Sequence, residues 1–310
     1  MNASLKTMRY FVAAAQHQSL SKAAKAMNIS QSSISGAVDM LEAELGLILF
    51  YRQRSKGISL TAVGRDVLPR IQGILDQVDN FDADITGIEG QISGTLHVEC
   101  FTPIAPFILP PIIKELSIAH PSIKIHIHEG NVRDNFDRLR RGEVDVAISY
   151  DDADIGAGLI RRLLASVPPH VIAPMDHPFA QKPSISLKDL DGIPLILMDL
   201  PSSRQYYTSL FAAVGVQPNF IFKSGSYELV RSLVGAGVGL ALLQSRPPVD
   251  ITSSGTTIQC IPIKDKLPHS ALVVACTEQD FKRRAVEVFM QQCVSYFNSA
   301  KARHLIVSTD

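Results

Sequence analysis

Three groups of apolar residues recur at helical spacing in the first 50 positions, and each group follows a serine that can cap a helix. The serines are Ser4, Ser19 and Ser30. The apolar groups are Leu5, Met8, Phe11, Val12 and Ala15, then Ala23, Ala24 and Met27, then Ile34, Val38, Leu41 and Leu45. Only Asn28 and Ile29 separate the second and third patterns, which predicts two short helices joined by a tight turn.

The polar face at the start of the third predicted helix carries short hydrogen-bonding side chains. They are Ser30, Gln31, Ser32, Ser33 and Ser35. Side chains of this kind can reach base edges in the major groove of DNA. A serine-rich first turn is equally a good cap in two helices that only pack together, so this stretch alone leaves both interpretations open.

A basic hairpin is predicted after the third helix, which Gly46 is expected to end. Its cations are Arg52, Arg54 and Lys56, which suit DNA phosphates or the minor groove. A solvated surface hairpin is the alternative. With seven cations and three anions, residues 1–60 carry a charge of +4, whereas the whole chain is neutral. The pattern favours a small basic DNA-binding head on a neutral body.

The apolar residues between positions 61 and 90 follow an unbroken coiled-coil spacing, which predicts one long helix capped by Thr61. The stripe consists of Val67, Ile71, Ile74, Val78, Phe81, Ile85 and Ile88. Pro69 is expected to bend this helix or relax one turn. Packing on its own chain is the alternative, but the head has too few residues to cover so long a stripe. We therefore expect a seam between two copies of the chain.

The chain from residue 91 to 300 alternates predicted strands and helices, which indicates an α/β body with parallel strands and helical crossovers. A helix is expected to begin at Thr102 and Pro103 and to be interrupted by Pro110 and Pro111. A second α/β unit is expected to start near Pro168. Strands are predicted near 95–101, 122–129, 144–150, 167–173, 195–198, 219–223, 238–243, 258–261 and 270–276, and further helices near 131–141, 202–214, 227–235 and 281–297.

The head resembles the winged helix-turn-helix of the LysR-type transcriptional regulators. The matching residues are Ala23, Ala24, Ser30, Gln31, Ile34, Ser35, Leu41, Glu42, Leu45, Gly46, Leu49, Phe50, Arg52, Leu60, Thr61 and Gly64. The resemblance implies that Gln31, Ser32, Ser33 and Ser35 face bases or nearby phosphates. Many members have a proline after the Gln and a cation after the second Ser. Here Ser32 and Gly36 stand there, so operator preference does not carry over.

The resemblance implies a winged helix-turn-helix domain at 1–60, a dimerising coiled-coil linker helix at 61–90 and an effector domain at 91–300, followed by a tail at 301–310. The effector domain is expected to have two α/β lobes, like a periplasmic binding protein. Lobe I comprises about 91–166 plus 267–300, and lobe II about 167–266. The return of the last strand and helix to lobe I rests on the resemblance, because nothing in the spacing compels it.

A small-molecule effector is expected at the strand ends, in the cleft between the lobes. Thr102 and the loop at 199–204 are the main candidates, because hydroxyls, a helix start and a guanidinium suit a carboxylate. The hypothesis is that an organic acid bridges Thr102 and the residues Ser202, Ser203 and Arg204. Thr102 and Ser202 are alternatively plain helix caps, and Arg204 a surface ion-pair partner. Weaker candidates follow other strands: Tyr150, Ser224, Ser226 and Tyr227.

The sequence gives little indication of a metal site, a cofactor or a catalytic site. The four cysteines form no CxxC or Cys/His cluster, which disfavours zinc and suits a reducing compartment. His126 and His128 share one strand face without a third ligand nearby in sequence, so we expect no metal site. No cofactor motif and no catalytic triad is recognisable. The N-terminal residues lack a long apolar segment, and we expect a cytoplasmic protein without a membrane partner.

The sequence therefore predicts a non-enzymatic transcriptional regulator whose promoter binding is controlled by an effector, an organic acid or other anion. The expected partners are double-stranded DNA, the effector, a second copy of the chain through the linker helix, and further copies in a homotetramer; RNA polymerase is an additional candidate. The competing interpretation is an α/β enzyme or a solute-binding protein with an incidental helical head. Neither activation nor repression is favoured.

Overall fold

The computed structural model describes residues 3–53, 57–86, 92–151 and 158–307. They form two compact units, residues 1–95 and 96–310. The first unit begins with three helices: α1 (Leu5–His17), α2 (Leu20–Ala26) and α3 (Gln31–Leu45). The hydroxyls of Ser4, Ser19 and Ser30 accept hydrogen bonds from the first turns of these helices, as predicted.

The turn between α2 and α3 and the end of α3 both use left-handed backbone. Asn28 has φ 53°, which asparagine tolerates better than most residues. Gly46 follows α3 with φ 65°, so the chain turns back at little steric cost. It then forms an antiparallel pair, β1 (Phe50–Gln53) and β2 (Gly57–Leu60). Phe11, Ile34, Val38, Leu41 and Leu49 form the centre of the core.

The helix α4 (Ala62–Thr86) is continuous through Pro69. Thr61 caps it, because the Gly64 N–H donates to Thr61 Oγ1 at 2.9 Å. Part of the predicted seam is used within the chain: Ile71 is buried with Leu75 in the core of the head. Ile74 and Phe81 are 39% and 64% exposed, whereas the side chain of Ile85 and all of Ile88 lie outside the described residues. At its N-terminal end the predicted stripe is therefore covered by the head of the same chain.

The second unit contains two five-stranded sheets. Lobe I has the strand order β4-β3-β5-β12-β6, formed by β3 (Gly94–Phe101), β4 (Ile123–Gly130), β5 (Val146–Tyr150), β6 (Leu159–Val167) and β12 (Ser270–Thr277). Lobe II has the order β11-β7-β10-β8-β9, formed by β7 (His170–Pro174), β8 (Pro194–Met198), β9 (Asn219–Ser224), β10 (Leu240–Leu243) and β11 (Ile258–Pro262).

The sheets are mixed rather than parallel throughout. In lobe I, β3 and β5 are parallel, but β12 runs antiparallel to β5 and β6. In lobe II, β7 runs antiparallel to β10 and β11. The reason is the path of the chain, which leaves lobe I after β6 and returns with β12. The strand predicted at 167–173 is accordingly two strands, divided at Pro168 and Pro169.

Helices complete the two lobes. They are α5 (Ala105–Ala119), α6 (Val132–Arg140), α7 (Pro201–Val214), α8 (Tyr227–Gly235), α9 (Glu278–Phe281) and α10 (Arg284–Asn298). The predicted interruption of α5 is wrong: the helix runs through Pro110 and Pro111. Burial of Ile108, Ile112 and Leu116 on its inner face offsets the two lost hydrogen bonds. The helix predicted at 281–297 corresponds to α10, which begins at Arg284 after the short α9.

Residues 301–307 of the tail predicted at 301–310 are packed against both lobes. Ala300–Leu305 forms a 3-10 helix. Lys301 forms an ion pair with Glu115 of lobe I at 2.6 Å. The Leu305 carbonyl accepts the Arg246 N–H at 2.9 Å, and Val307 belongs to the core of lobe II.

Candidate functional site

The exposed start of α3 presents the polar side chains singled out in the sequence. Gln31, Ser32 and Ser33 are exposed, and Ser35 is half-buried. The Ser30 hydroxyl accepts the Ser33 N–H at 3.1 Å and lies 2.8 Å from the Ser32 hydroxyl. Buried Ile34 and Val38 hold the opposite side of α3 in the core. The helix thus turns an amide and several hydroxyls outward, which suits base edges and phosphates.

Arg52, predicted to contact DNA phosphates, forms contacts within the head. Its guanidinium forms an ion pair with Asp39 on α3 and donates to the Ser35 hydroxyl at 3.4 Å. Glu42, which accepts the N–H groups of Leu49 and Phe50, lies 3.5 Å from the same guanidinium. Arg52 therefore joins the β1 strand to α3. Arg54 and Lys56 lie outside the described residues.

A polar cavity of about 490 Å³ opens between the lobes. We define it by Arg133, Tyr150, Ser202, Ser203, Gln244 and Ser270, which line it together with Asp151 and Tyr206. Asp151 receives two hydrogen bonds from Arg161, at 2.8 and 2.9 Å. Because that pairing neutralises the carboxylate, Arg133 gives the described lining a positive balance.

The α7 helix begins at this polar cavity without a side-chain cap. Its N-cap residue is Leu200, which has no polar side chain, and Pro201 occupies the first turn. First-turn N–H groups, including those of Ser202 and Ser203, have no acceptor within a helix. Together with the helix dipole, they favour an anion.

An apolar cavity of about 710 Å³ lies elsewhere in the same cleft. We define it by Thr102, Pro106, Phe107, Ser226 and Tyr227; its charged lining residues are Glu129, Glu228 and Arg231. Two of these charges are already engaged with each other: Glu228 accepts from Arg231 at 2.6 Å, and Arg231 also donates to the Val249 carbonyl at 2.9 Å. Ser226 caps α8 by accepting the Leu229 N–H. This cavity therefore has few free hydrogen-bond donors or positive charges for an anion.

Ser245 is bonded both across the cleft and within lobe II. Its hydroxyl lies 2.7 Å from the Tyr150 hydroxyl of lobe I, and its carbonyl accepts the Tyr227 hydroxyl of lobe II at 2.7 Å. Burial raises the pKa of Tyr150, so its hydroxyl stays protonated. Gln244 also bonds to Ser270 across the cleft. Tyr150, Gln244 and Ser270, which form the bonds across the cleft, also line the polar cavity.

The structure divides the predicted ligand residues. Ser202, Ser203 and Tyr150 line the polar cavity, whereas Thr102, Ser226 and Tyr227 line the apolar one. Thr102 is not a helix cap, since α5 begins at Ala105; its N–H and hydroxyl both donate to the Gly130 carbonyl. One acid bridging Thr102 and the 202–204 loop does not fit this division.

Two further predicted residues line neither cavity. Arg204 is exposed and pairs with Asp199, which raises the pKa of its guanidinium. The Ser224 hydroxyl accepts the Ser226 N–H at 3.1 Å. Sequence reasoning missed Arg133, Gln244 and Ser270. Of these only Arg133 carries a sequence signal, as a cation in the first turn of a helix that follows a strand.

Comparison with known proteins finds one family for both parts of the chain. Residues 5–65 match the model of the bacterial regulatory helix-turn-helix proteins of the lysR family, and residues 89–298 match the LysR substrate binding domain. A hydrogen peroxide-inducible genes activator of Dickeya chrysanthemi is 28% identical, covering 78% of this chain and 79% of the relative. The regulator IlvY of Escherichia coli is 27% identical, covering 77% and 81%.

Solved structures show the same architecture. HinK, a LysR family transcriptional regulator from Pseudomonas aeruginosa, is 30% identical with a TM-score of 0.63, and the match covers 96% of this chain and 99% of HinK. The fold of CbnR in complex with its target DNA gives a TM-score of 0.69 at 19% identity, over 95% and 99% of the two chains. Within the described residues, no helix is long and apolar enough to cross a membrane. The chain belongs to the LysR family of DNA-binding transcriptional regulators, with an N-terminal helix-turn-helix domain and a two-lobed effector-binding domain.

Proposed function

We propose that this regulator binds an organic acid or another small anion in the polar cavity and that the bound anion controls its binding to promoter DNA. The observation that carries the proposal is the uncapped start of α7 at a cavity lined by Arg133 and by the hydroxyls of Ser202 and Ser203. A carboxylate there would accept hydrogen bonds from backbone N–H groups and hydroxyls. It would also face the Arg133 guanidinium.

Two arguments favour this ligand class over oxidation of a thiol. All four cysteines are buried, and burial raises the pKa of each, to about 12 for Cys260 and about 11 for Cys276. Direct reaction with peroxide needs an accessible thiolate, which these residues do not provide. The curated relatives named for hydrogen peroxide therefore do not supply a model for the signal.

The ligand proposal is tested by a thermal-shift screen of organic acids followed by calorimetry. Arg133→Ala is expected to weaken binding of a confirmed acid by about 10- to 100-fold, the usual worth of a charged hydrogen bond. Arg303→Ala is the matched control, because Arg303 is also exposed but lies on the last 3-10 helix, away from the cavity lining. Unchanged affinity in Arg133→Ala would remove Arg133 from the site.

DNA recognition is proposed to use the exposed start of α3, with Gln31 at its centre. In mobility-shift assays with the region upstream of its own gene, Gln31→Ala should weaken specific binding by about 5- to 100-fold, since a good base contact contributes about 1–3 kcal/mol. Gln16→Ala, an exposed glutamine on α1, is the control. If Gln31→Ala and Gln16→Ala bound the promoter with equal affinity, and also bound unrelated DNA with equal affinity, base reading by Gln31 would be excluded.

Dimerisation is proposed to use the exposed apolar residues of α4, Ile74 and Phe81, so that two heads read two half-sites. A homotetramer would then pair two such dimers. Analytical ultracentrifugation of Phe81→Asp should show dissociation at concentrations where the wild-type chain is oligomeric. If the variant sediments like the wild type, the contact between copies lies elsewhere.

The transmitted signal is proposed to be a change in lobe spacing, because the polar cavity includes Tyr150, whose hydroxyl bond to Ser245 joins the lobes. A shift of the lobes would alter the separation of the heads and the bend of the DNA. Small-angle scattering and DNA-bending assays with a saturating acid should both change. No change in either measurement would exclude this route.

A further inference from the structure

The walls of the apolar cavity suit the hydrocarbon part of a small ligand. Phe107 on α5 and Tyr227 on α8 both line it, and their ring centroids are 6.0 Å apart. Its volume of about 710 Å³ falls within the range of small-molecule sites, which is about 300–1,000 Å³. The residues that line it do not include any that line the polar cavity, so it can hold a ligand of its own.

The start of α5 reaches this cavity but has few hydrogen-bond donors for an anion. Pro103 and Pro106 line the cavity and carry no backbone N–H. The Thr102 N–H donates to the Gly130 carbonyl at 3.0 Å, and the Phe107 N–H donates to the carbonyl three positions earlier at 3.3 Å. On the lobe I side, these N–H groups are therefore not available to a ligand.

Donors on the lobe II side of the cavity are also bonded within the protein. Buried Arg231 donates to Glu228 and to two backbone carbonyls. The Tyr227 hydroxyl donates to the Ser245 carbonyl, and the Ser253 N–H donates to Glu228. The oxygen atoms of Tyr227 and Glu228 can still accept hydrogen bonds. The cavity therefore suits a ligand that donates.

The charges around the cavity favour a cation. Its lining contains the carboxylates of Glu129 and Glu228 and the guanidinium of Arg231, which together give a charge of −1. Glu228 and Arg231 pair at 2.6 Å, and Glu228 also lies in the first turn of α8, where it offsets the positive end of the helix dipole. Glu129 is exposed near the end of β4 and forms no ion pair within the described ranges of the chain. The uncompensated charge at this cavity is therefore a carboxylate.

We propose that the apolar cavity is a second ligand site and that it binds an organic amine. The hydrocarbon part of the amine lies against Phe107 and Tyr227, and its ammonium group donates to Glu129. An ammonium group has several N–H donors and no acceptor, which matches the oxygen atoms that remain. The faces of the two aromatic rings also attract a cation. Because no lining residue is shared, this amine site is independent of the acid site in the polar cavity.

The test is calorimetry of the full-length protein with two probes that share one aromatic body, phenethylamine and phenethyl alcohol. We expect the amine to bind about 10-fold more tightly than the alcohol, because a hydrogen bond to a charged group is stronger than a neutral one. Glu129→Gln should remove that difference and leave the affinity for the alcohol unchanged. Glu278→Gln, an exposed glutamate on α9 away from the cavity lining, is the matched control.

Two further variants locate the amine. Phe107→Ala should weaken both probes by about 5-fold, since it removes an aromatic contact. Arg133→Ala should leave the affinity for the amine unchanged, so failure of the acid proposal and failure of the amine proposal give different results. Equal affinity of the wild type for the two probes, or equal amine affinity in Glu129→Gln and the wild type, would overturn the amine site. So would an amine affinity that changes in Arg133→Ala but not in Phe107→Ala, which would place the amine in the polar cavity.

Discussion

Two helices of lobe II begin at the ligand cleft, and they begin in opposite ways. Ser226 caps α8 with its own hydroxyl, beside the apolar cavity and the paired charges of Glu228 and Arg231. Leu200 leaves α7 uncapped beside the polar cavity, where Arg133 is the accompanying cation. When a side chain of the helix itself accepts the first-turn N–H groups, the cap contributes to stability. When no side chain accepts them, these N–H groups are available to a ligand. One side chain at the N-cap position makes that difference.

The largest expected effect comes from giving α7 the kind of start that α8 has. In Leu200→Asp, the new carboxylate would accept the first-turn N–H groups and repel an incoming acid. We expect a loss of acid affinity of about 100-fold in calorimetry, because a competing hydrogen-bonded charge contributes roughly 1.5–3 kcal/mol. Leu200→Asn is the matched control, which caps without charge and should cost about 10-fold. Wild-type affinity in both variants would show that the start of α7 is not used by the ligand.

The converse change, Ser226→Ala, is expected to act on stability instead. Removing the hydroxyl leaves the Leu229 N–H without its capping acceptor, which costs about 1 kcal/mol in the free energy of unfolding. Urea denaturation measures that loss, and calorimetry should find the acid affinity of the wild type. A large loss of acid affinity without loss of stability would reverse the roles assigned to the two cavities.

The smallest effect is expected for Arg204→Ala. The guanidinium is exposed and pairs with Asp199, and exposed pairs contribute little in water. Acid affinity should change by less than about twofold. A change as large as that of Arg133→Ala would instead restore Arg204 to the site and would place the ligand outside the polar cavity.

More of the head than of the cleft could be predicted from the sequence, because the residues that determine the helices of the head are close together in the chain. The caps at Ser4, Ser19 and Ser30 act on N–H groups within three positions, so residue type and spacing suffice. Arg133 and Ser202 are 69 positions apart in the chain, and only the folding of the two sheets brings them to the same cavity. Thr102 illustrates the same limit, since its bonds to the distant Gly130 carbonyl replace the predicted helix cap.

The end of the chain has a mechanical consequence for the lobes. The peptide chain already passes between them twice, after β6 and before β12, and two links alone leave rotation about the line joining them free. The final 3-10 helix and the residues after it supply a third link, through Lys301 on one side and through Leu305 and Val307 on the other. Three points that are not on one line resist such rotation. A deletion from residue 300 onward should therefore widen the range of lobe angles in solution, and a fluorophore near residue 307 would report opening directly.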